Sequence, residues 1–418
     1  MISYSDILGY LYRKFMNNNN LCSKIMKNFK SVLMGTAATV AFLCACSPKS
    51  ESISQLTASG LNSADFDTLY VDEVKGEKAT ALYTLRNSNG MEVCITNFGG
   101  RIVSIMVPDK NGELKDVVLG FDNVSDYFPT NNSSDFGAAI GRYANRINQG
   151  VITVDGETIQ LPQNNFGHCL HGGPSGWQYQ VYDANLADST KLELTMVSPD
   201  GDNNFPGEVT AKVTYSLTDD NAIEINYEGT TTKTTVLNMT NHSYFNLSGD
   251  PTNSIADEIL TINADYYTPV DTTFMTTGEI ASVEGTTFDF RSPKVIGTDF
   301  GTELGAELEA ARGGYDHNWV LNTKGDAAQV AVKLVDPKSG ICLEVYTNEP
   351  GIQVYTGNFL DGTLTGKNGI TYNKQAAICL ESQKYPDSPN KQWKESNAWL
   401  NPGETYNSYC KFKFSVEE

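Results

Sequence analysis

The stretch Val209-Thr210-Ala211-Lys212-Val213-Thr214-Tyr215-Ser216-Leu217 puts apolar or small side chains at odd positions and polar ones at even positions. Ile223-Glu224-Ile225-Asn226-Tyr227 repeats the alternation after the turn residues Asp219-Asp220-Asn221. A period of two is the mark of a strand with one buried face, and the short polar connection makes the pair a hairpin. Working outward, the same alternation recurs in Lys191 to Met196, Val330 to Val335, Cys342 to Tyr346 and Cys410 to Phe414. Windows with helical periodicity are scarce, and the best, Thr302 to Arg312, is short. With 36 Gly and 15 Pro punctuating short strands, the chain reads as all-β: one large antiparallel β-sandwich over residues 78–418.

Composition narrows the function. The 418 residues include 30 basic and 50 acidic side chains, a formal net charge of −20, which argues against nucleic acid as a partner because a phosphate-binding surface needs clustered Lys and Arg. A hydrophobic share of 40% supplies a large core and excludes wholesale disorder.

The first 45 residues read as an upstream segment plus a signal peptide. Lys24, Lys27 and Lys30 form a basic region, and the uncharged stretch from Val32 to Leu43 follows, too short to span a bilayer. Met26 opens a conventional signal by itself. Leu43-Cys44-Ala45-Cys46 resembles a bacterial lipobox, so Cys46 is expected to be acylated and the protein to be exported and lipid-anchored to the cell envelope. Residues 46–77, with their Ser-rich start, are expected to be a tether and lead-in. Of the eight cysteines, Cys94, Cys169, Cys342, Cys379 and Cys410 remain in the body, widely spaced and without a C-x-x-C pair, so neither a zinc site nor a dense disulfide framework is indicated.

Common catalytic signatures are absent: the chain has no G-x-S-x-G, H-E-x-x-H or G-x-G-x-x-G, and Gly362 to Asn368 falls short of a phosphate loop. All four histidines sit in distinctive contexts instead: His168 and His171 in Gly167 to Gly173, His242 in Thr240 to Leu247, and His317 in Tyr315 to Trp319. Histidine is the usual acid or base near neutral pH, although a turn histidine can also be purely structural. Gly141-Arg142-Tyr143-Ala144-Asn145-Arg146-Ile147 offers an Arg fork and an amide suited to sugar hydroxyls, with Arg142 read as structural. Ala377 to Gln383 is a buried-strand pattern that delivers the carboxylate of Glu381, either a paired structural charge or a tuned base.

Taken together, Asn97 to Gly100 (Asn-Phe-Gly-Gly), Gly-Arg-x-Ala-Asn-Arg-Ile, Leu170 to Gly173 (Leu-His-Gly-Gly), Thr-Asn-His-Ser-Tyr-Phe-Asn-Leu, Tyr-Asp-His-Asn, Pro350 to Asn358 and Leu-Glu-Ser-Gln occur in an order that resembles the aldose 1-epimerases, or galactose mutarotases. The resemblance covers roughly Ala79 to Val416 and implies the β-supersandwich of that family. It further implies that His242 is the general acid and Glu381 the general base, that Asn145, Arg146, His171, Asp316 and Gln353 hold the sugar, and that the α and β anomers of free aldohexoses such as galactose and glucose are interconverted. No cofactor is required and no catalytic metal is expected, while the Asp and Asn side chains leave room for a structural cation such as calcium. The expected partners are a free monosaccharide and, through the anchor alone, a membrane; the expected state is a monomer.

Three other readings remain at this stage. A non-catalytic sugar-binding lipoprotein would lack one of the acid–base pair, and both are present. A sugar-phosphate epimerase needs extra cations beside its pocket. A glycoside hydrolase needs two carboxylates flanking a glycosidic bond, a role that Asp316 and Glu381 could imitate.

Overall fold

The computed structural model describes residues 56–417 apart from 73–75, 133 and 392. The expected signal segment and Cys46 lie outside the described residues. The hairpin that opens the sequence reading forms as expected: Val209–Leu217 pairs antiparallel with Ala222–Thr231, with Val213 opposite Tyr227 and Tyr215 opposite Ile225. It lies inside a nine-stranded sheet ordered Asp183–Asp188, Lys191–Ser198, Val209–Leu217, Ala222–Thr231, Tyr406–Val416, Ile341–Thr347, Val332–Val335, Ile259–Ile262 and Lys294–Val295. A six-stranded sheet runs Tyr244–Phe245, Ile378–Gln383, Gly351–Tyr355, Asp316–Val320, Tyr266–Thr268 and Ala281–Ser282. A four-stranded sheet from Leu82–Arg86 to Leu114–Asp116 completes the major layers.

The main core joins these sheets through their alternating faces. Val213, Tyr215, Ile225, Tyr227, Leu343, Val345, Phe412 and Phe414 of the nine-stranded sheet belong to one buried cluster with Trp319, Ile352, Val354, Ile378 and Leu380 of the six-stranded one. Because side chains alternate across a strand, the intervening residues Asn318, Gln353 and Glu381 point to the opposite face of the six-stranded sheet. They lie side by side there, Asn318 opposite Gln353 and Gln353 opposite Glu381. The helical window at Thr302 to Arg312 becomes a 3₁₀ turn, Glu303–Gly305, and one short α-helix, Ala306–Ala310. All five body cysteines are buried and free, so no disulfide joins the described residues.

One expectation needs correction. The folded body does not begin at residue 78, because part of the expected tether is built into it. Leu61 and Phe66 are buried in a second apolar cluster with Phe98, Leu119 and Phe121, Ala58 N–H donates to Glu92 Oε1, and Thr68–Asp72 pairs with Gly76–Thr80. Serine-rich composition describes the segment before residue 56; the two apolar side chains that follow contribute enough burial to order the chain around them. Phe66→Ala is therefore expected to destabilise the fold by about 3–5 kcal/mol, the usual cost of removing a buried aromatic ring. Urea denaturation checks this, and an unchanged midpoint would return the segment to the status of a tether.

Candidate active site

On the face of the six-stranded sheet turned away from the core, a cavity of about 470 Å³ is lined by Asn145, Arg146, His171, His242, Asp316, Gln353 and Glu381, together with Asp135, Asn164, Asn165, Gln178, Tyr179, Tyr244, Tyr355 and Phe359. All seven residues singled out for catalysis and sugar binding thus meet in one pocket, although His242 and Glu381 are 139 positions apart in the chain. His242 comes from Thr240–His242, which pairs with Ala138–Ile140, while Glu381, Gln353 and Asp316 come from adjacent strands of the six-stranded sheet. Arg146 and His171 are delivered by the pairing of Arg146–Ile147 with Cys169–Leu170. The glycines beside these residues have a steric purpose. A Cβ on Gly172 would lie 2.2 Å from the Gly141 carbonyl oxygen, and one on Gly141 would lie 2.0 Å from the Trp177 ring, so the two motifs pack closely only because both positions lack a side chain.

At the floor, His242 Nε2 lies 3.4 Å from Glu381 Oε1, and both residues are almost fully buried. Burial disfavours charge on each. It lowers the His242 imidazole to about 3, with a smaller push from the Arg101 cation, and it raises the Glu381 carboxyl well above the usual range, reinforced by Asp316 and Asp135 and opposed by Arg146. Burial thus favours the uncharged form of each partner, a protonated carboxyl and a neutral imidazole. Asp316 is likewise raised by burial, with the Arg146 guanidinium and a 2.7 Å hydrogen bond from Gln353 Nε2 working the other way.

The supporting groups are fixed by local bonds. His171 Nδ1 accepts from the Asn145 N–H at 3.2 Å, which leaves its Nε2 for a ligand, and burial beside His242 and Arg146 keeps the ring neutral. Arg146 donates from Nε to Asn165 Oδ1 at 3.2 Å and lies over the Phe274 ring. Asn145 Oδ1 accepts from the Arg146 N–H at 2.8 Å. Tyr244 stacks on His242 with ring centroids 5.1 Å apart. Glu381 Oε2, His242 Nδ1, Gln353 Oε1 and Asp135 Oδ1 are buried without hydrogen-bond partners, an arrangement that a hydroxyl-rich ligand would satisfy.

The other two histidines are structural. His168 Nδ1 accepts from the Gln149 N–H and its Nε2 meets Thr273 Oγ1 at 2.8 Å, outside the pocket lining. His317 faces the core, its ring 4.6 Å from that of Phe288, and accepts from the Asp316 N–H. Arg142 is structural as expected, but it is held chiefly by backbone carbonyls, Pro206 and Gly207 at 2.8 Å, rather than by a carboxylate.

Sequence reasoning missed Asp135, whose carboxyl burial raises to about 6 despite the nearby Arg101. It sits in an irregular segment with no periodicity to single it out. Asp135, His171 and His242 offer ligand atoms within 4.8 Å of one another, the one such group of three His, Cys, Asp or Glu side chains among the described residues. Tyr244 and Tyr355 were also missed, and here a signal existed: each lies two residues after a recognised site residue, His242 or Gln353, and an extended chain returns to the same side every second residue.

A hydroxyl-matched pocket with an uncharged acid–base pair at its floor defines the class: an all-β, proton-transferring enzyme of carbohydrates. The aldose 1-epimerase family model matches residues 81–413. Galactose mutarotase of Mus musculus is 42% identical over 350 residues, covering 84% of this chain and 98% of its own, and aldose 1-epimerase of Escherichia coli is 38% identical over 337 residues, 80% and 95%. Among solved structures, an aldose epimerase homologue from C. elegans superposes with a TM-score of 0.73 at 30% identity, covering 81% of this chain and all of that one; galactose 1-epimerase from Lactobacillus acidophilus gives 0.72 at 29%, covering 84% and 99%. The chain belongs to the aldose 1-epimerase family.

The lowered imidazole sets a pH expectation. Burial lowers His242 to about 3, so its imidazole keeps one protonation state between pH 7 and 5. The rate is therefore expected to show no loss centred on 6.5, the ordinary histidine value, as the pH falls from 7 to 5. A pH series of catalysed mutarotation checks this, and an acid limb centred near 6.5 would contradict it.

Proposed function

We propose that this protein interconverts the α and β anomers of free aldohexoses such as galactose and glucose, with Glu381 as base and His242 as acid. The observation that carries the reading is the 3.4 Å contact between the two groups at the floor of a pocket lined by hydroxyl-binding side chains. In the productive form the proton has moved across that contact, leaving a carboxylate beside an imidazolium. Glu381 then removes the proton of the C1 hydroxyl while His242 protonates the ring oxygen, and the C1–O5 bond breaks to give the open aldehyde. Rotation about C1–C2 presents the other carbonyl face, and the two proton transfers run in reverse.

Burial assists this sequence. Ring opening returns the pair to protonated Glu381 and neutral His242, the uncharged form that the desolvated floor favours. Arg146 pulls the other way by favouring the Glu381 carboxylate, and so keeps the productive form accessible. Asn145, Arg146, His171, Asp316 and Gln353 would hold the sugar hydroxyls, and the proton transfers need no cofactor. Arg146 is the one Arg or Lys side chain in the lining, which gives the phosphate of a sugar phosphate little cationic support and favours a neutral sugar.

Glu381→Gln and His242→Asn are each expected to lower the turnover by ~10²–10⁴, the usual worth of a positioned proton-transfer group, with the fold intact. Polarimetry on freshly dissolved α-D-galactose and α-D-glucose, with circular dichroism as the folding control, reads the result; near wild-type rates in either variant would refute the assignment.

The same proposal includes export and anchoring through an acylated Cys46, supported by the basic, apolar and Leu-Cys-Ala-Cys succession at residues 24–46, with the enzyme working as a monomer at the cell envelope. Mass spectrometry of the mature protein is expected to find a lipid-modified cysteine at position 46. An unmodified N-terminus elsewhere would remove the anchor and leave the catalytic reading untouched.

A further inference from the structure

Beside the pocket lies an aromatic cluster for which the chemistry at C1 has no use. The rings of Phe166, Phe274 and Phe359 form a triangle with centroid separations of 5.5, 5.5 and 6.5 Å. Phe359 belongs to the pocket lining, and Phe166 follows directly on Asn164 and Asn165, which also line it. Phe166 is 46% exposed and Phe359 40%, so two large apolar rings stand in water at the edge of a polar cavity.

This arrangement is held in place against local preference. Phe166 and Phe274 have φ of 47° and 63°, a left-handed conformation that bulky side chains avoid and that persists only where surrounding contacts enforce it. Those contacts are present. The His168 ring, which has no place in the pocket, bonds Thr273 Oγ1 at 2.8 Å and ties the Phe166 loop to the Phe274 loop. Asp271 Oδ1 accepts from the N–H groups of Thr273 and Met275, and the Arg146 guanidinium lies 5.3 Å from the Phe274 centroid. The Arg312 guanidinium lies over the Phe359 ring, 4.8 Å from its centroid, so one face of that ring is covered and a hydrogen-bond donor is held at the edge of the cluster.

Resting on the sugar-binding reading of the pocket, we infer that these rings are a stacking platform for a second pyranose, so that the preferred ligand is the reducing end of an oligosaccharide rather than a lone hexose. With C1 directed at the buried pair on the floor, the opposite edge of the ring faces the mouth. A sugar attached there leaves the pocket beside Phe359 and Phe166. The C–H face of a pyranose matches an aromatic π face, and the hydroxyls at its edge meet Arg312. Continuity with the pocket makes a covalently linked second sugar the occupant the geometry fits.

Calorimetric titration of the intact protein with lactose and with glucose, the sugar at the reducing end of lactose, tests the platform. Lactose is expected to bind at least tenfold more tightly than glucose. Phe166→Ala should bring that ratio close to one while glucose affinity changes less than twofold, and Phe166→Tyr should preserve it. Lactose binding no more tightly than glucose to the wild-type protein, or Phe166→Ala weakening both sugars equally, overturns the inference. Failure of the mutarotase reading looks different: polarimetry then shows no catalysed rate on either sugar while the binding ratio stands.

Discussion

Gly351–Tyr355 and Ile378–Gln383 turn apolar side chains toward the nine-stranded sheet and polar ones toward the pocket, and this division across two adjacent strands is the constraint on which the site depends. Ile352, Val354, Ile378 and Leu380 anchor the sheet to the core, so Gln353 and Glu381 have no freedom to face elsewhere. A slip of one residue in either strand would exchange the two sets, burying a carboxyl in hydrocarbon and exposing leucine to the pocket. The energy that fixes the core therefore also fixes the aim of the carboxyl, and His242 meets it from a separate two-stranded pairing with Ala138–Ile140.

Burial then decides how these groups behave. A water-poor floor makes charge costly, so burial lowers the His242 imidazole and raises the Glu381 carboxyl, favouring the uncharged form of each. The same floor carries several polar atoms without partners, which natural interiors avoid unless something arrives to pair with them. Ligand binding, proton placement and dryness are thus aspects of one arrangement. The aromatic edge around Phe166 and Phe359 contrasts with it, being apolar where the pocket is polar and exposed where His242 and Glu381 are buried.

Much of the fold was legible because strand periodicity is a local property. Val209–Leu217, Ala222–Thr231 and Tyr406–Val416 lie where the alternation placed them. The tether was misjudged because composition averages over a segment, whereas two side chains, Leu61 and Phe66, sufficed to dock its second half. Within the site, the residues carried by motifs came together. Asp135 did not stand out, because an aspartate in an irregular loop looks the same whether it faces solvent or a histidine pair.

The sequence by itself determined the all-β class, the succession of motifs and the residue types available for proton transfer, since each is encoded in neighbouring positions. Only the tertiary structure decided which histidines reach the pocket, separating His171 and His242 from His168 and His317, and which carboxyls burial raises above the ordinary range. Those outcomes depend on contacts between segments from about 26 to 139 residues apart, such as Asn145 with His171 and His242 with Glu381, and on exclusion of water. Neither is a property of any local stretch of chain.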